Sequence, residues 1–195
     1  MIQEILKNKK IVLASKSPRR QLLLKELGIP FEIRTKETEE SFDLNLRRQE
    51  IPLYLCEHKA NAFLNEINDS EILITADTIV WVSETVLNKP ENKEDAIRML
   101  KLLSGNMHEV ITAVCMRTNE KSHCFYAVTK VYFKNLSDQE IEYYLENYHP
   151  YDKAGAYGIQ EWIGYIGIEK IEGSYFNVMG FPIKEVYEAL HLFNS

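Results

Sequence analysis

Several features that define large functional classes are missing from this sequence of 195 residues. No apolar run is long enough to span a bilayer, and the first ten residues, MIQEILKNKK, lack the apolar stretch and cleavage site of a signal peptide. We therefore expect a cytoplasmic protein that has no membrane partner. Neither GxGxxG nor GxxxxGK[ST] is present, which argues against the two commonest nucleotide-binding loops.

Cysteine and histidine patterns are equally sparse. The three cysteines, Cys56, Cys115 and Cys124, show no CxxC spacing, and the five histidines form neither HxxxH nor HExxH. These absences disfavour a structural zinc site, a zinc hydrolase and a disulfide framework. We expect each cysteine to be a reduced, partly buried hydrophobic residue.

Positive charge is also in deficit, because the formal net charge is −6. A partner made of long nucleic acid usually requires a basic face, so we expect no nucleic-acid partner. A small anionic ligand held by a few local cations remains compatible with this charge. Hydrophobic residues make up 45% and charged residues 27% of the chain, which is ordinary for a globular protein. We expect one domain over residues 1–195.

What the sequence does contain is a mixture of strand and helix signals. The predicted strands are Ile11–Ser15, the start of FEIRTKETEESFDLN before an acidic loop, EILITADTIVWV with its return after a turn at Ser83–Glu84, HEVITAVCM, HCFYAVTKVYF and GYIGIEKIEGSYF. One predicted helix is NKEDAIRMLKLL, and the others begin at Ser17–Pro18, Pro52, Ser137 and Pro182. Because these elements show no regular βαβ rhythm, they predict a mixed α/β protein with a mixed or largely antiparallel sheet.

Two adjacent arginines, Arg19 and Arg20, stand in the first turn of the first predicted helix. Cations there are disfavoured by about 0.3–1 kcal/mol each, because the helix N-terminus is already positive. The same terminus binds anions, and guanidinium groups grip phosphate bidentately. Ser15 adds a hydroxyl donor nearby. Either the arginines are merely solvated or they bind phosphate, and this segment alone does not separate the two readings.

Asp77 interrupts a strand that is otherwise apolar or β-branched. A half-buried carboxylate costs free energy unless it is paired, protonated or bound to a metal. It is a candidate general base or magnesium ligand, with a carboxylate at a strand bulge as the alternative.

Six further residues are weaker candidates, since each type is more often an ordinary surface or loop residue. Lys59, Lys89 and Lys153 are candidate phosphate-binding cations, Gln160 is a candidate reader of a base edge, and the acidic pair Glu39–Glu40 is a candidate metal-binding group. Together with the two arginines and Asp77 they supply what polyphosphate hydrolysis needs: cations, metal-binding carboxylates and a base.

Four ordered segments resemble one family. LASKSPRRQLLLKELG, ADTIVWVSETVLNKPENKEDAIRMLKLLSGNMHEVITAV, DKAGAYGIQ and IEGSYFNVMGFP together are similar to the Maf family of nucleoside triphosphate pyrophosphatases, over about Val12 to Leu190. The resemblance implies an elongated, two-lobed mixed α/β fold with a central cleft, related to inosine triphosphate pyrophosphatases. It also implies hydrolysis of a nucleoside triphosphate to the monophosphate and pyrophosphate with Mg²⁺ or Mn²⁺, and it allows a homodimer.

The resemblance also implies roles for individual residues. Asp77 corresponds to the family's catalytic aspartate, and the metal falls on Asp77 and Glu40. The phosphate-binding positions fall on Arg19, Arg20, Lys59 and Lys89, with Ser15 beside them.

Substrate preference follows from the same comparison. Arg19, Thr78 and Gln160 resemble the branch that prefers dTTP and UTP, and a glutamine amide can pair with the O4 and N3–H edge of a pyrimidine. One departure is Tyr54, which stands where the family usually carries an arginine. Another is the aromatic segment QEWIGYIGIEKIEG, which replaces a more glycine-rich one.

A different class of function is also compatible with the resemblance. The family name comes from effects on septum formation, so the chain could act as a nucleotide-binding regulator of cell division without important catalysis. Asp77 favours the enzyme, because a protein that only binds nucleotide has no need of a carboxylate that activates water.

Overall fold

The computed structural model describes Leu6 and residues 9–193. Residues 1–5, 7, 8, 194 and 195 lie outside the described part, so most of the MIQEILKNKK segment and both ends of the predicted domain cannot be compared with it.

Seven strands form one mixed sheet in the described part of the chain. They are β1 Lys10–Leu13, β2 Phe31–Ile33, β3 Glu71–Val82, β4 Thr85–Leu87, β5 Met107–Arg117, β6 Ser122–Phe133 and β7 Ile168–Glu172. Their order is β2-β1-β3-β5-β6-β7, and β4 pairs with β3. Strand β1 is parallel to both β2 and β3, whereas the β3–β4 and β6–β7 pairs are antiparallel. This confirms the predicted mixed sheet.

Seven α-helices accompany the sheet within residues 9–193. They are α1 Pro18–Glu26, α2 Glu50–Asn61, α3 Lys93–Leu103, α4 Asp138–Tyr148, α5 Trp162–Gly167, α6 Tyr175–Val178 and α7 Ile183–Leu190. Side chains cap the starts of α1, α3 and α4 at Ser17, Asn92 and Ser137, and Glu140 completes a capping box with Ser137. No helix in the described residues is long and apolar enough to cross a membrane.

Two predicted elements differ from the structure. Helix α2 begins at Glu50 rather than Pro52 and ends at Asn61, so the apolar residues predicted for its far end lie beyond it. The segment predicted as a strand from Gly164 begins as helix α5. Its helical turn brings the Cα of Gly164 so close to the chain that a Cβ would lie 2.0 Å from the carbonyl oxygen of Ile159. The alternating apolar residues of this segment are typical of a strand, so the pattern does not indicate the helical turn.

The chain forms two compact units. The first contains the chain up to Asp77, residues 112–127 and the part from Gly180, and the second contains Thr78–Ile111 and Val128–Met179. The buried cluster of the first unit is built from β1, α2, β3 and β5 and comprises Val12, Cys56, Ala60, Phe63, Ile67, Leu73, Ala113 and Cys115. The second unit has its own core, in which Leu100, Phe133, Tyr144 and Tyr157 are among the buried residues.

One cysteine prediction is wrong. Cys115 and Cys124 form a disulfide, whereas Cys56 is free and buried, as expected. The two bonded residues lie on β5 and β6 at equal distances from the turn that the Thr118 N–H closes with the Lys121 carbonyl. Their Cα atoms are 4.1 Å apart, close to the spacing of about 4.5 Å for directly opposed residues. Pairing therefore arises from strand register, which a nine-residue spacing does not reveal.

In the first unit, a bidentate ion pair joins the residue after the end of β2 to the first residue of β3. The Arg34 guanidinium, which follows β2, donates to both carboxylate oxygens of Glu71 at the start of β3, at 3.0 and 2.8 Å. Glu71 is 4% exposed and also accepts the Asn68 N–H at 3.1 Å. The hydrogen bonds from Arg34 lower the pKa of Glu71 to about 2.

We expect Glu71→Gln to lower the free energy of unfolding at pH 7 by about 1–3 kcal/mol, because it breaks a charge-assisted pair in a buried place. A carboxylate with a depressed pKa contributes stability above its unfolded pKa and loses it as the pH falls. The difference between the variant and the parent should therefore shrink from about pH 4.5 towards pH 2. Urea denaturation across this range measures it.

The matched control is Glu32→Gln, which removes an exposed carboxylate 3.6 Å from the same guanidinium. It should change stability by less than about 0.5 kcal/mol. A loss for Glu71→Gln that is the same at every pH would contradict the assigned role of this ion pair.

Candidate active site

Asp77 lies within β3 and is only 9% exposed to solvent. Its neighbours Ile74 and Ala76 on the same strand are fully or almost fully buried, so the strand forms for apolar reasons and takes the carboxylate inside with it. The Lys59 ammonium donates to the Asp77 carboxylate at 2.6 Å. A buried carboxylate is thus compensated by a cation from α2, as the cost of burying charge requires.

A second carboxylate reaches the same ammonium. Glu40 accepts from Lys59 Nζ at 2.9 Å, and it comes from the irregular segment between β2 and α2. Two acidic groups from distant parts of the sequence therefore meet at one lysine. We call Asp77, Lys59 and Glu40 the Asp77 cluster.

The electrostatics of this cluster follow from burial. Desolvation raises the pKa of Asp77 above its ordinary value, and the positive charges of Lys59 and Arg20 offset only part of that effect. Burial alone would lower the pKa of Lys59, but the Asp77 and Glu40 carboxylates outweigh it and leave that pKa raised. Lys59 is therefore a permanent cation near neutral pH, while Asp77 is a stronger base than a solvated aspartate.

Arg20, the second of the two adjacent arginines, donates to two main-chain carbonyls. Arg20 Nε donates to the Gly180 carbonyl at 2.9 Å, and Arg20 Nη1 donates to the Ala76 carbonyl at 2.7 Å. Burial lowers the pKa of Arg20, and the Asp77 charge opposes that change. Arg20 thus connects α1 to the strand that carries Asp77. Arg19 is half-buried in the same helical turn.

Ser15 is part of the turn that leads into α1. It is 7% exposed, and its hydroxyl oxygen accepts the Ser17 N–H at 3.2 Å. The Gln21 side chain donates to the Ser15 carbonyl at 3.1 Å. These contacts order the loop ahead of the helix N-terminus, which is the expected place for an anion.

The donor set suits a hard divalent cation that is shared with substrate. Among the described residues, no group of three or more His, Cys, Asp or Glu side chains is arranged to hold a metal. Asp77 and Glu40 nevertheless provide two convergent carboxylates. Mg²⁺ commonly takes one or two carboxylates and completes its shell with water and substrate phosphates, so the residues present fit Mg²⁺ or Mn²⁺ in that manner.

The remaining predicted residues belong to the second unit. Thr78 is half-buried on β3, and Lys89 is exposed just after β4. The neighbouring Asn88 carbonyl accepts the Gly155 N–H at 3.1 Å, which ties the loop after β4 to the DKAGAYGIQ segment. Gln160 in that segment is half-buried, and its Oε1 is buried with no hydrogen-bond partner among the described residues. A buried, unsatisfied acceptor of this kind suits a ligand N–H.

Sequence reasoning missed two side chains beside Gln160. Tyr144 on α4 and Glu161 form a short hydrogen bond, and Lys153 pairs with Glu161 at 3.0 Å. The sequence predicts Lys153 as a candidate cation for phosphate, whereas in the structure it is buried and pairs with Glu161. The helical period of α4 marks Tyr144 as a core residue, but no spacing rule connects it to Glu161.

Comparison with known proteins points to one family. A family model described as Maf-like protein matches residues 10–193. A protein of Flavobacterium johnsoniae named dTTP/UTP pyrophosphatase is 55% identical over 190 residues, covering 97% of this chain and 98% of that protein. A Parabacteroides distasonis protein of the same name is 52% identical, covering 97% of this chain and 99% of its own length.

A solved structure is similar at a much lower level. It is the nucleoside-triphosphatase, or dITP/XTP pyrophosphatase, of Mycobacterium abscessus, at 12% identity and a TM-score of 0.37. The match covers 64% of this chain and 74% of that one. A TM-score this low says nothing about function, and the fold described above rests on its own strand pairings.

We expect Arg20→Lys to lower the free energy of unfolding by about 1–2 kcal/mol, because an ammonium cannot replace both guanidinium hydrogen bonds to the Ala76 and Gly180 carbonyls. Arg98→Lys is the matched control, because Arg98 is an exposed helix arginine whose guanidinium pairs with the Asp95 side chain, and it should be closer to the parent in stability. Chemical denaturation of the three proteins measures the difference. Equal stability of the two variants would show that the Arg20 bonds do not hold α1 to β3.

Proposed function

This chain belongs to the Maf family, and we propose that it hydrolyses dTTP and UTP to the nucleoside monophosphate and pyrophosphate. Relatives that are about 50% identical in sequence to this chain, over nearly their whole length, are named dTTP/UTP pyrophosphatase. The observation that carries the proposal within this chain is the buried Asp77 carboxylate, which a single lysine holds at 2.6 Å. Such a carboxylate is suited to accept a proton from water.

Asp77 is the general base in the proposed reaction. It takes a proton from a water molecule as the water oxygen attacks the α-phosphorus. The bond between that phosphorus and the oxygen bridging to the β-phosphorus breaks, and pyrophosphate leaves with the electron pair. Burial raises the pKa of Asp77, which increases the basicity of the carboxylate while Lys59 keeps it in position.

The cations bind the triphosphate. We assign this role to Arg19, Lys59 and Lys89, with the Ser15 loop contributing donors at the start of α1. Lys59 already holds two carboxylates, so its ammonium is oriented before substrate arrives. Arg20 has two proposed roles. It binds phosphate, and its hydrogen bond to the Ala76 carbonyl holds the main chain next to the general base.

Asp77 and Glu40 are the residues that would hold Mg²⁺ or Mn²⁺. The metal would neutralise charge on the phosphoryl oxygens and so stabilise the transition state. Lys59 then keeps both carboxylates together when no metal is present, because like charges that close repel one another.

The base is read by Gln160, with Thr78 and Arg19 as the other proposed specificity residues. The unsatisfied Oε1 of Gln160 needs a donor, and the N3–H of uracil or thymine is one. The neighbouring side-chain NH₂ group can donate to the O4 of the same base. With the amide in this same orientation, cytosine would place its N3 acceptor against Oε1 and its amino donor at position 4 against the NH₂ group, so both contacts would be mismatched.

The proposed biological role is removal of normal or modified pyrimidine triphosphates from the nucleotide pool, with a small-molecule substrate and a cytoplasmic location. The alternative, a nucleotide-binding regulator of cell division, predicts binding without turnover. No contact of the described residues favours it over catalysis.

We expect Asp77→Asn to reduce kcat for UTP by about 100- to 10,000-fold, which is the usual contribution of a general base. The protein should stay folded, because asparagine fills the same space and can still accept a hydrogen bond from Lys59. Asp43→Asn is the matched control, because Asp43 is exposed and its carboxylate accepts the nearby Asn45 N–H. Steady-state kinetics with a circular-dichroism check on folding provides the test, and near-normal turnover would refute the assignment of Asp77.

Pyrophosphate release from dTTP, UTP, CTP, ATP and GTP, each with Mg²⁺ and with a chelator, tests substrate and metal together. We expect dTTP and UTP to be the best substrates, and turnover to fall to background when the chelator removes the metal. A preference for purines would reject the proposed substrate. Full activity in the chelator would reject the metal role of Asp77 and Glu40, and tight nucleotide binding without any release would favour the regulator.

A further inference from the structure

A buried network surrounds the segment that carries Gln160. Glu161, the next residue, places one carboxylate oxygen 3.0 Å from the Lys153 ammonium, and its other oxygen accepts the hydroxyl of Tyr144. The side chains of Lys153 and Glu161 are only 10% and 19% exposed, and Tyr144 is fully buried. The Lys153 ammonium also pairs with Asp152 at 2.6 Å.

The same network reaches the main chain on the other side of Gln160. The Gly158 N–H donates to the Tyr144 hydroxyl oxygen at 3.0 Å, so one phenol links Gly158 to Glu161. The Glu161 N–H in turn donates to the Gly158 carbonyl at 3.0 Å. Gln160 is therefore enclosed in a short loop whose two ends are fixed to α4.

Two glycines are required for this arrangement. A Cβ on Gly158 would lie 2.7 Å from the Glu161 carboxyl carbon, which cannot retreat without leaving Tyr144 and Lys153. A Cβ on Gly164 would lie 2.0 Å from the Ile159 carbonyl oxygen, directly before Gln160. The main chain around Gln160 is thus packed closely from both sides.

The carbonyl of Gln160 is also held. The Tyr165 hydroxyl donates to it, although the Tyr165 side chain is among the most exposed of the large hydrophobic residues. The network thus fixes the main chain before, at and after Gln160. The Oε1 of Gln160 is buried and has no hydrogen-bond partner among the described residues.

A purely stabilising role does not account for this network of Tyr144, Lys153 and Glu161. A buried ion pair usually gives little net stability, because desolvating both charges costs about as much as their attraction returns. What it does supply is a fixed geometry. Holding the main chain of Gln160 in one place limits the positions that its side-chain amide can take, which favours a base whose edge matches the amide there.

We propose that Glu161 is a positioning residue for base recognition: gripped by Tyr144 and Lys153, it fixes Gln160 so that its amide selects the O4 and N3–H edge of uracil or thymine. This inference rests on the proposed function, because it gives Gln160 the role of reading the base. It adds three residues, from α4 and the DKAGAYGIQ segment with its following residue, that never touch substrate.

The test compares kcat and KM for UTP and CTP with Mg²⁺ in the parent, Tyr144→Phe, Glu161→Gln and Gln160→Ala. The readout is the discrimination ratio, kcat/KM for UTP divided by kcat/KM for CTP. We expect Tyr144→Phe and Glu161→Gln each to lower this ratio by roughly five- to thirtyfold, the size of one or two lost hydrogen bonds. The loss should appear mainly as a higher KM for UTP, with kcat within about twofold of the parent, since the base lies away from the bond that breaks.

Tyr148→Phe is the matched control, because Tyr148 lies one helical turn further along α4 and its ring stacks on that of Tyr144 at a centroid distance of 5.2 Å. It should leave the ratio unchanged. Melting temperatures identify any variant that fails to fold, and Glu161→Gln, which keeps the size of the side chain and an acceptor for Tyr144, then carries the test.

The outcomes separate this inference from the function beneath it. A parent that does not prefer UTP to CTP, or a Gln160→Ala variant with an unchanged ratio, overturns the role of Gln160 and this inference together. A lower ratio in Gln160→Ala with an unchanged ratio in Tyr144→Phe and Glu161→Gln overturns the positioning role alone. Parallel losses with UTP and CTP in those two variants would show a structural role only, and would also overturn it.

Discussion

The enclosure of the Asp77 carboxylate by an apolar strand is the constraint on which the rest of the candidate site depends. Strand β3 is buried along almost its whole length, so the carboxylate goes inside with it and must be compensated. Lys59 provides that compensation from α2, and Glu40 shares the same ammonium. A cation, a base and a second carboxylate are thereby placed together by the cost of burying one charge.

The two arginines at the start of α1 show how neighbours in sequence can take different tasks. Arg20 donates to two main-chain carbonyls, one of them next to Asp77, and Arg19 is proposed to bind the phosphates of the substrate. An unfavourable pair of charges at a helix N-terminus is thus explained in part by structure and in part by the anionic substrate we propose. The network of Tyr144, Lys153 and Glu161 plays the corresponding part for Gln160: it fixes the main chain of a residue whose side chain must stay unsatisfied until a base arrives.

Much of the fold could be predicted from local signals. The caps at Ser17 and Ser137, the turn at Ser83–Glu84 and the strands on either side of that turn are confirmed, because capping, turn chemistry and period-two patterns act over a few residues. The helix at Trp162–Gly167 escaped prediction, since its glycine packs against a carbonyl that the pattern does not show. The pairing of Cys115 with Cys124 escaped it too, because it depends on the register of two strands.

The kinds of chemistry available can be read from the residues alone: a lone acid in an apolar strand, cations at a helix start and an amide in a glycine-punctuated loop. The family can be recognised in the same way, because four motifs in fixed order are visible without coordinates. Which residues meet depends on the folded chain. Lys59 reaches Asp77 and Glu40, and Tyr144 reaches Glu161, across separations of 17 to 19 residues that only folding closes. Such contacts depend on how helices and strands pack, and packing is a property of the whole chain rather than of any short stretch of it.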